Sequence, residues 1–210
     1  PPKEVIITDP EGQRLEGTVG PYDEGSDLVV ICEADGGKPL PSVSWWKNDV
    51  LLDSTYSPAP HGHIRNELRL SNLNRSDFET EITCKASNTN LTVPKQSSII
   101  LDMNLKPLEV KITTIEKPIS VGAHTELQCL SYGSRPPAKI TWWKGTQKMV
   151  NVRDTVSIDE NVTLSTVSFV AVAKDNGRYV SCRAENVQME FSAIENGRVL
   201  NVHCKYKNFF

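Results

Sequence analysis

A long internal repeat constrains this chain more than any other feature of its sequence. The segment Gly36-Gly37-Lys38-Pro39-Leu40-Pro41-Ser42-Val43-Ser44-Trp45-Trp46-Lys47 returns 97 residues later as Gly133-Ser134-Arg135-Pro136-Pro137-Ala138-Lys139-Ile140-Thr141-Trp142-Trp143-Lys144, and the same spacing carries Cys32 onto Cys129. A spacing of 98 carries Cys84-Lys85-Ala86-Ser87-Asn88 onto Cys182-Arg183-Ala184-Glu185-Asn186. A fixed period of this length in 210 residues implies two copies of one domain rather than a single large core. The boundary is expected near Leu105-Lys106-Pro107-Leu108, giving domains at 1–104 and 105–204, a short linker around 104–108 and a tail at 205–210. A proline-containing connection of a few residues restricts the interdomain angle more than a Gly/Ser tether, so a semi-rigid rod is the expectation.

Each copy reads as short strands of period two, separated by Gly, Pro, Asn and Asp clusters, with no sustained helical periodicity; the class is all-β. Alternation puts Leu28, Val30, Cys32, Ala34, Val43, Trp45, Leu68, Leu70 and Leu73 inside the first copy. The corresponding set in the second is Leu127, Cys129, Ser131, Ile140, Trp142, Val167, Phe169 and Val172. Terminal strands are expected over 97–103 in the first copy and over 199–203 in the second.

With 23 basic against 26 acidic side chains scattered along the sequence, no basic face is available to neutralise a phosphate backbone, which argues against nucleic acid as a partner. No run approaches the roughly 20 apolar residues of a membrane span and the chain opens without an apolar signal core, so signal and anchor are expected outside this segment. The five cysteines stand at long intervals with no C-x-x-C pair, a pattern of structural disulfides and an oxidising compartment. No G-x-S-x-G, phosphate-binding glycine loop or paired-carboxylate motif is present. The expectation is a protein that is not an enzyme and uses no cofactor or metal.

Within each copy a Trp follows the first Cys by 13 residues (Cys32 to Trp45, Cys129 to Trp142) and a second Cys follows the first by 52 or 53. This resembles the immunoglobulin superfamily, in which one disulfide joins two sheets beside a buried indole. The resemblance implies pairs Cys32–Cys84 and Cys129–Cys182, core tryptophans Trp45 and Trp142, and tandem β-sandwiches of constant-like or intermediate sets. It departs from the family's tyrosine corner, because Ile82 and Val180 occupy the positions two before the second cysteines and Tyr179 comes one residue early.

Sequons Asn74-Arg75-Ser76, Asn90-Leu91-Thr92 and Asn161-Val162-Thr163 make Asn74, Asn90 and Asn161 candidates for N-glycosylation. Trp46 and Trp143 must point away from the buried indoles; packing against long side chains of neighbouring strands is the plainer reading and anchoring a partner the alternative. His61-Gly62-His63 has the spacing of two metal ligands but no local Cys or carboxylate cluster, and reads as a solvated loop. The unpaired Cys204 is either an interchain link or an incidental residue near the end of the second domain.

Gly20-Pro21-Tyr22-Asp23-Glu24-Gly25, Gly36-Gly37-Lys38-Pro39 before Trp45-Trp46-Lys47, and Leu200-Asn201-Val202-His203 together resemble the sidestep family of arthropod neuronal surface proteins, over nearly the whole chain. The resemblance implies the second and third domains of a type I membrane ectodomain, a ligand for beaten path-type receptors in axon guidance and synaptic partner choice. Receptor binding would then fall mainly to a domain outside this segment. A nectin-like adhesion or immune-type receptor fragment, or a structural spacer, is the alternative.

Overall fold

A computed structural model describes residues 1–204. The chain divides into two compact units, the first ending at Met103 and the second opening at Asn104. Among the described residues no helix is long and apolar enough to cross a membrane.

The first unit comprises β1 (Glu4–Thr8), β2 (Gly17–Asp23), β3 (Leu28–Asp35), β4 (Ser42–Lys47), β5 (Val50–Asp53), β6 (Ser57–Pro58), β7 (Ile64–Leu70), β8 (Glu81–Ser87) and β9 (Lys95–Asn104). They form a four-stranded sheet in the order β1-β3-β7-β6 and a five-stranded sheet in the order β2-β9-β8-β4-β5. Alternation does what a pleated strand requires: Val30, Cys32 and Ala34 of β3 face Val43 and Trp45 of β4 and Ile82, Cys84 and Ala86 of β8, and all are buried. The Cys32–Cys84 disulfide ties the two sheets together with Cα atoms 6.3 Å apart. Beside it the Trp45 indole N–H donates to the Asn66 carbonyl at 3.2 Å, and the Asn66 side-chain amide donates to the Val43 carbonyl at 3.1 Å. A buried indole is therefore satisfied without leaving the core.

The second unit comprises β10 (Glu109–Ile112), β11 (Ile119–Ser120), β12 (His124–Tyr132), β13 (Lys139–Lys144), β14 (Gln147–Lys148), β15 (Val152–Val156), β16 (Val162–Val170), β17 (Tyr179–Glu185), β18 (Ile194–Val199) and β19 (Val202–His203). Its sheets run β10-β12-β16-β15 and β14-β13-β17-β18, with β11 and β19 forming a separate parallel pair. Cys129–Cys182 joins the sheets at a Cα separation of 6.5 Å, and here the buried indole of Trp142 donates to the Ser165 hydroxyl at 3.0 Å. Two all-β immunoglobulin sandwiches, each with one inter-sheet disulfide, are thus the architecture.

The expectations fail at three places. Val172, expected inside, is 38% exposed, and Ala171 occupies the core in its stead. The reason is a change of spacing: Leu68 lies opposite Val30 and Val167 opposite Leu127, so the copies run 99 residues apart along β7 and β16, but the turn that follows is one residue shorter in the second copy. Val172 instead precedes a turn at Ala173–Asp175, with its N–H bonded to the Asp175 carboxylate at 3.1 Å. Leu70 and Phe169, placed inside by the same alternation, are half-buried where β7 and β16 run out. Finally, the terminal stretch 199–203 is not one strand. Leu200 is buried, its N–H donates to the Arg178 carbonyl at 2.8 Å, and Ile119 N–H donates to the Asn201 carbonyl at 2.8 Å. At this point the chain leaves its antiparallel neighbour β17 and pairs in parallel with β11.

The missing tyrosine corner also has a structural account. Ile82 and Val180 are fully buried, so those positions contribute to the core. Tyr179 lies outside, over the next strand: a Cβ added to Gly197 would meet its ring carbon at 2.5 Å. A strand glycine leaves a gap on the sheet surface, and the aromatic ring of the neighbouring strand fills it.

Candidate functional site

The outer face of the five-stranded sheet carries Trp46. Its indole N–H donates to the Ser44 hydroxyl at 2.9 Å, and the Lys85 ammonium lies 4.6 Å from the ring centroid. Next to it Thr83 and Ser98 share a hydroxyl hydrogen bond at 2.9 Å, and Leu51 of β5 stands directly opposite Trp46 in the register. Trp143 repeats the arrangement in the second unit, its N–H donating to the Thr141 hydroxyl at 3.2 Å. Each outward indole is therefore clipped in place by the hydroxyl two residues before it and stays half-buried, an amphipathic ring with one face toward solvent.

Beneath the strand ends lies a pair of ion pairs that no motif announced. Lys47 at the end of β4 bonds to the carboxylate of Asp77, and Lys144 at the end of β13 to that of Asp175, at 2.7 Å in the second case. The Asp175 side chain is only 2% exposed. Burial alone would raise its pKa, but the hydrogen bond from Lys144, the Val172 N–H and the charges of Lys144 and Lys174 prevail, and the carboxyl is held below its ordinary value. Lys144 also stands 5.5 Å from the Phe169 ring centroid. The repeat held the signal, since Lys47 and Asp77 map onto Lys144 and Asp175 by the two spacings already described.

A second repeated device clamps loops. Asn88 donates its side-chain amide to the Pro39 carbonyl at 2.7 Å, and its counterpart Asn186 donates to the carbonyls of Arg135 at 2.7 Å and Leu105 at 3.0 Å. Asn186 also accepts from Gln188 N–H at 2.9 Å and exchanges two 3.0 Å bonds with the Ser192 hydroxyl. The loop so held borders a depression of about 740 Å³ and presents Phe191, 97% exposed and at φ 55°.

The sequon asparagines are all exposed. Asn74 caps a short turn, its side-chain oxygen accepting from Ser76 N–H at 2.9 Å, while its own N–H donates to Asp77 at 2.8 Å. Asn90 lies in the β8–β9 loop beside exposed Leu91 and Val93. Asn161 closes the β15–β16 turn, where the hydrogen bond from Ser157 and the Asn161 N–H hold the Asp159 carboxyl below its usual range. His61 sits in an exposed turn at φ 60°, whereas His63 faces Glu33 and Asp35, its ring nitrogens 3.8 and 3.6 Å from their carboxylate oxygens. Among the described residues no three His, Cys, Asp or Glu side chains are arranged to hold a metal ion. Cys204 is exposed and unbonded, and the 205–210 tail lies outside the described residues.

Comparison with known proteins agrees with this anatomy. Residues 10–88 match the family described as immunoglobulin domain, and residues 107–193 match the CD80-like C2-set immunoglobulin domain. Human nephrin is 23% identical over 181 residues, covering 85% of this chain. Cell adhesion molecule 2 of Xenopus tropicalis is 26% identical over 140 residues, covering 65%. The chain spans 14% of the length of nephrin and 31% of that of cell adhesion molecule 2. Among solved structures, Rst D1-D2 superimposes with a TM-score of 0.62 at 18% identity, covering 95% of this chain and 100% of that one. The mouse nectin-like molecule 4 ectodomain gives 0.59 at 17%, covering 100% and 67%, and at these identities the likeness is one of fold. With one immunoglobulin match on each repeat and a disulfide-and-tryptophan core in each unit, the chain belongs to the immunoglobulin superfamily as a tandem pair of its domains.

Proposed function

We propose that the chain is a non-catalytic extracellular segment of a cell-surface adhesion or recognition protein. The observation that carries this reading is the similarity over 85% of the chain to nephrin and over 65% to cell adhesion molecule 2. The geometry supports it. Both disulfides suit an oxidising compartment, and the clipped indole of Trp46 beside Leu51 is the kind of aromatic and aliphatic surface that protein interfaces use. The finer reading is a sidestep-like ligand of beaten path-type receptors in axon guidance or synaptic partner choice, contacting its receptor mainly through a domain outside this segment; it rests on the motif resemblance alone.

Surface plasmon resonance of this chain and of the full-length ectodomain against beaten path and nectin-like ectodomains tests both levels. Binding of beaten path by the full-length ectodomain, with little by this chain, is the expected outcome. Binding of nectin-like ectodomains alone overturns the finer reading, and binding of none overturns the recognition role.

A further inference from the structure

Single apolar side chains on a protein surface are ordinary. Their placement here follows the sequons. Among the described residues the most exposed large apolar side chains are Ile158, wholly exposed, and Phe191, Leu91 and Val93, at 97%, 93% and 87%. Three of these four lie within three residues of a sequon asparagine: Leu91 and Val93 follow Asn90 by one and three positions, and Ile158 precedes Asn161 by three. The remaining sequon has the opposite surroundings, because Leu73, next to Asn74, is 2% exposed.

Both loops hold the asparagine and its apolar neighbours in a fixed relation. In the β8–β9 loop the Ser87 hydroxyl donates to the Thr89 carbonyl at 3.0 Å and Leu91 N–H donates to the Thr89 hydroxyl at 3.1 Å, which pins the backbone on both sides of Asn90. In the β15–β16 turn Ser157 N–H donates to the Val162 carbonyl at 2.9 Å and Glu160 N–H to the Ser157 carbonyl at 3.0 Å, so Ile158 and Asn161 belong to one closed turn. Asn90 and Asn161 are both exposed.

We propose that Asn90 and Asn161 bear N-linked glycans whose first sugars fold back over Leu91 and Val93 and over Ile158, so that the chain's own carbohydrate covers these apolar tips. In the attachment step the asparagine Nδ2 bonds to the anomeric carbon of an N-acetylglucosamine oligosaccharide donated by a lipid pyrophosphate; the bond from that carbon to the pyrophosphate oxygen breaks, the pyrophosphate leaves with the electron pair, and Nδ2 gives up one proton. A pyranose ring presents C–H groups on its faces and hydroxyls on its rim, and laying such a face on a Leu, Val or Ile side chain removes apolar surface from water on both sides. Because the two turns already hold these side chains in place, little order is lost when a sugar settles on them. Asn74 offers no such seat. The Phe191 loop contains no sequon, and that side chain keeps its exposure.

This rests on the extracellular reading, since the sugar donor belongs to the secretory pathway, but the experiment separates the two: the host imposes secretion, so the outcome is independent of the binding measurements that test recognition. The chain is secreted from a eukaryotic cell line behind a signal sequence, its glycopeptides are mapped by mass spectrometry, and hydroxyl-radical footprinting compares the folded chain before and after enzymatic removal of its N-glycans. Asn90 and Asn161 are expected to be sugar-bearing, and Leu91, Val93 and Ile158 to be shielded in the intact glycoprotein and to lose that shielding on removal, with Phe191 oxidised equally in both. Thr92→Ala, which abolishes one sequon and retains Asn90, is expected to unmask Leu91 and Val93 while leaving Ile158 shielded, and Asn74→Gln to change none of the three. A bare Asn90 or Asn161 in the secreted chain, or sugar-bearing sites whose apolar neighbours are oxidised alike before and after removal, overturns the proposal.

Discussion

Asp175→Asn isolates what the buried ion pair of the second unit contributes. The substitution keeps the shape of the side chain and an oxygen for the Val172 N–H, but removes the charge facing Lys144. Stripping one partner from a buried pair costs about 3–5 kcal/mol, because the survivor is left charged and desolvated. Lys144 retains 21% exposure and can draw water toward its ammonium, so the cost here falls to the bottom of that range or just under it, about 2–3 kcal/mol. An unfolding entropy of about 2.1 cal/mol/K per residue amounts to roughly 0.2 kcal/mol/K for one unit, and the loss becomes a fall in Tm of about 10–15 °C. Differential scanning calorimetry reads it, with the first unit's own transition as an internal reference. Adding Lys144→Met is expected to restore most of the loss, since two neutral groups leave no buried charge behind. A drop below about 3 °C in Asp175→Asn, or no recovery in the double variant, refutes the assignment of this pair as a coupled buried contact.

The same carboxyl makes stability depend on pH. Its folded pKa lies below the ordinary 3.8, so the unfolded chain binds the proton more readily; the contribution is complete above the unfolded value and is lost as pH falls through the folded one. The second unit's Tm should therefore decline below about pH 4 in wild type, and that decline should flatten in Asp175→Asn when melts are compared across pH. In the first unit, Gly20→Ala is expected to lower Tm through the backbone alone: Gly20 has φ 117°, and an added Cβ would sit 2.5 Å from the Asp102 carbonyl oxygen and 2.9 Å from the Tyr22 nitrogen. A loss of about 2–3 kcal/mol, seen in denaturant unfolding with the second unit unchanged, is the expected result, and a neutral variant would show that this turn relaxes freely.

The fold was legible because its landmarks repeat. Cys32, Trp45 and Cys84 recur as Cys129, Trp142 and Cys182 at nearly constant spacing, and residues that build one core must build the other. Spacing misleads where it changes: the turn after β16 is a residue shorter than its counterpart, so a constant period points to Val172 where Ala171 fills the core. Lys47 and Asp77 are 30 positions apart and Lys144 and Asp175 are 31, so the repeat marks the four residues as equivalent, but only the meeting of the strand ends with a distant turn shows that they pair. The segments that resemble the sidestep family have a backbone cause. Gly20, Gly25, Gly36 and Gly37 all have positive φ, from 69° to 117°, so these segments are dictated by turns that many immunoglobulin domains need, and they say more about the backbone than about a partner.

The crossover at Leu200 bears on how the second unit carries load. Because β11 and β19 run parallel, tension applied to the chain on either side of this unit drags the two strands past each other lengthwise. The bonds from Ile119 N–H to the Asn201 carbonyl and from Val121 N–H to the His203 carbonyl, at 2.8 and 2.9 Å, are then strained together instead of opening one after another. Lengthwise tension therefore loads this small patch in shear, whereas an antiparallel terminal pair drawn open from its end would peel apart bond by bond.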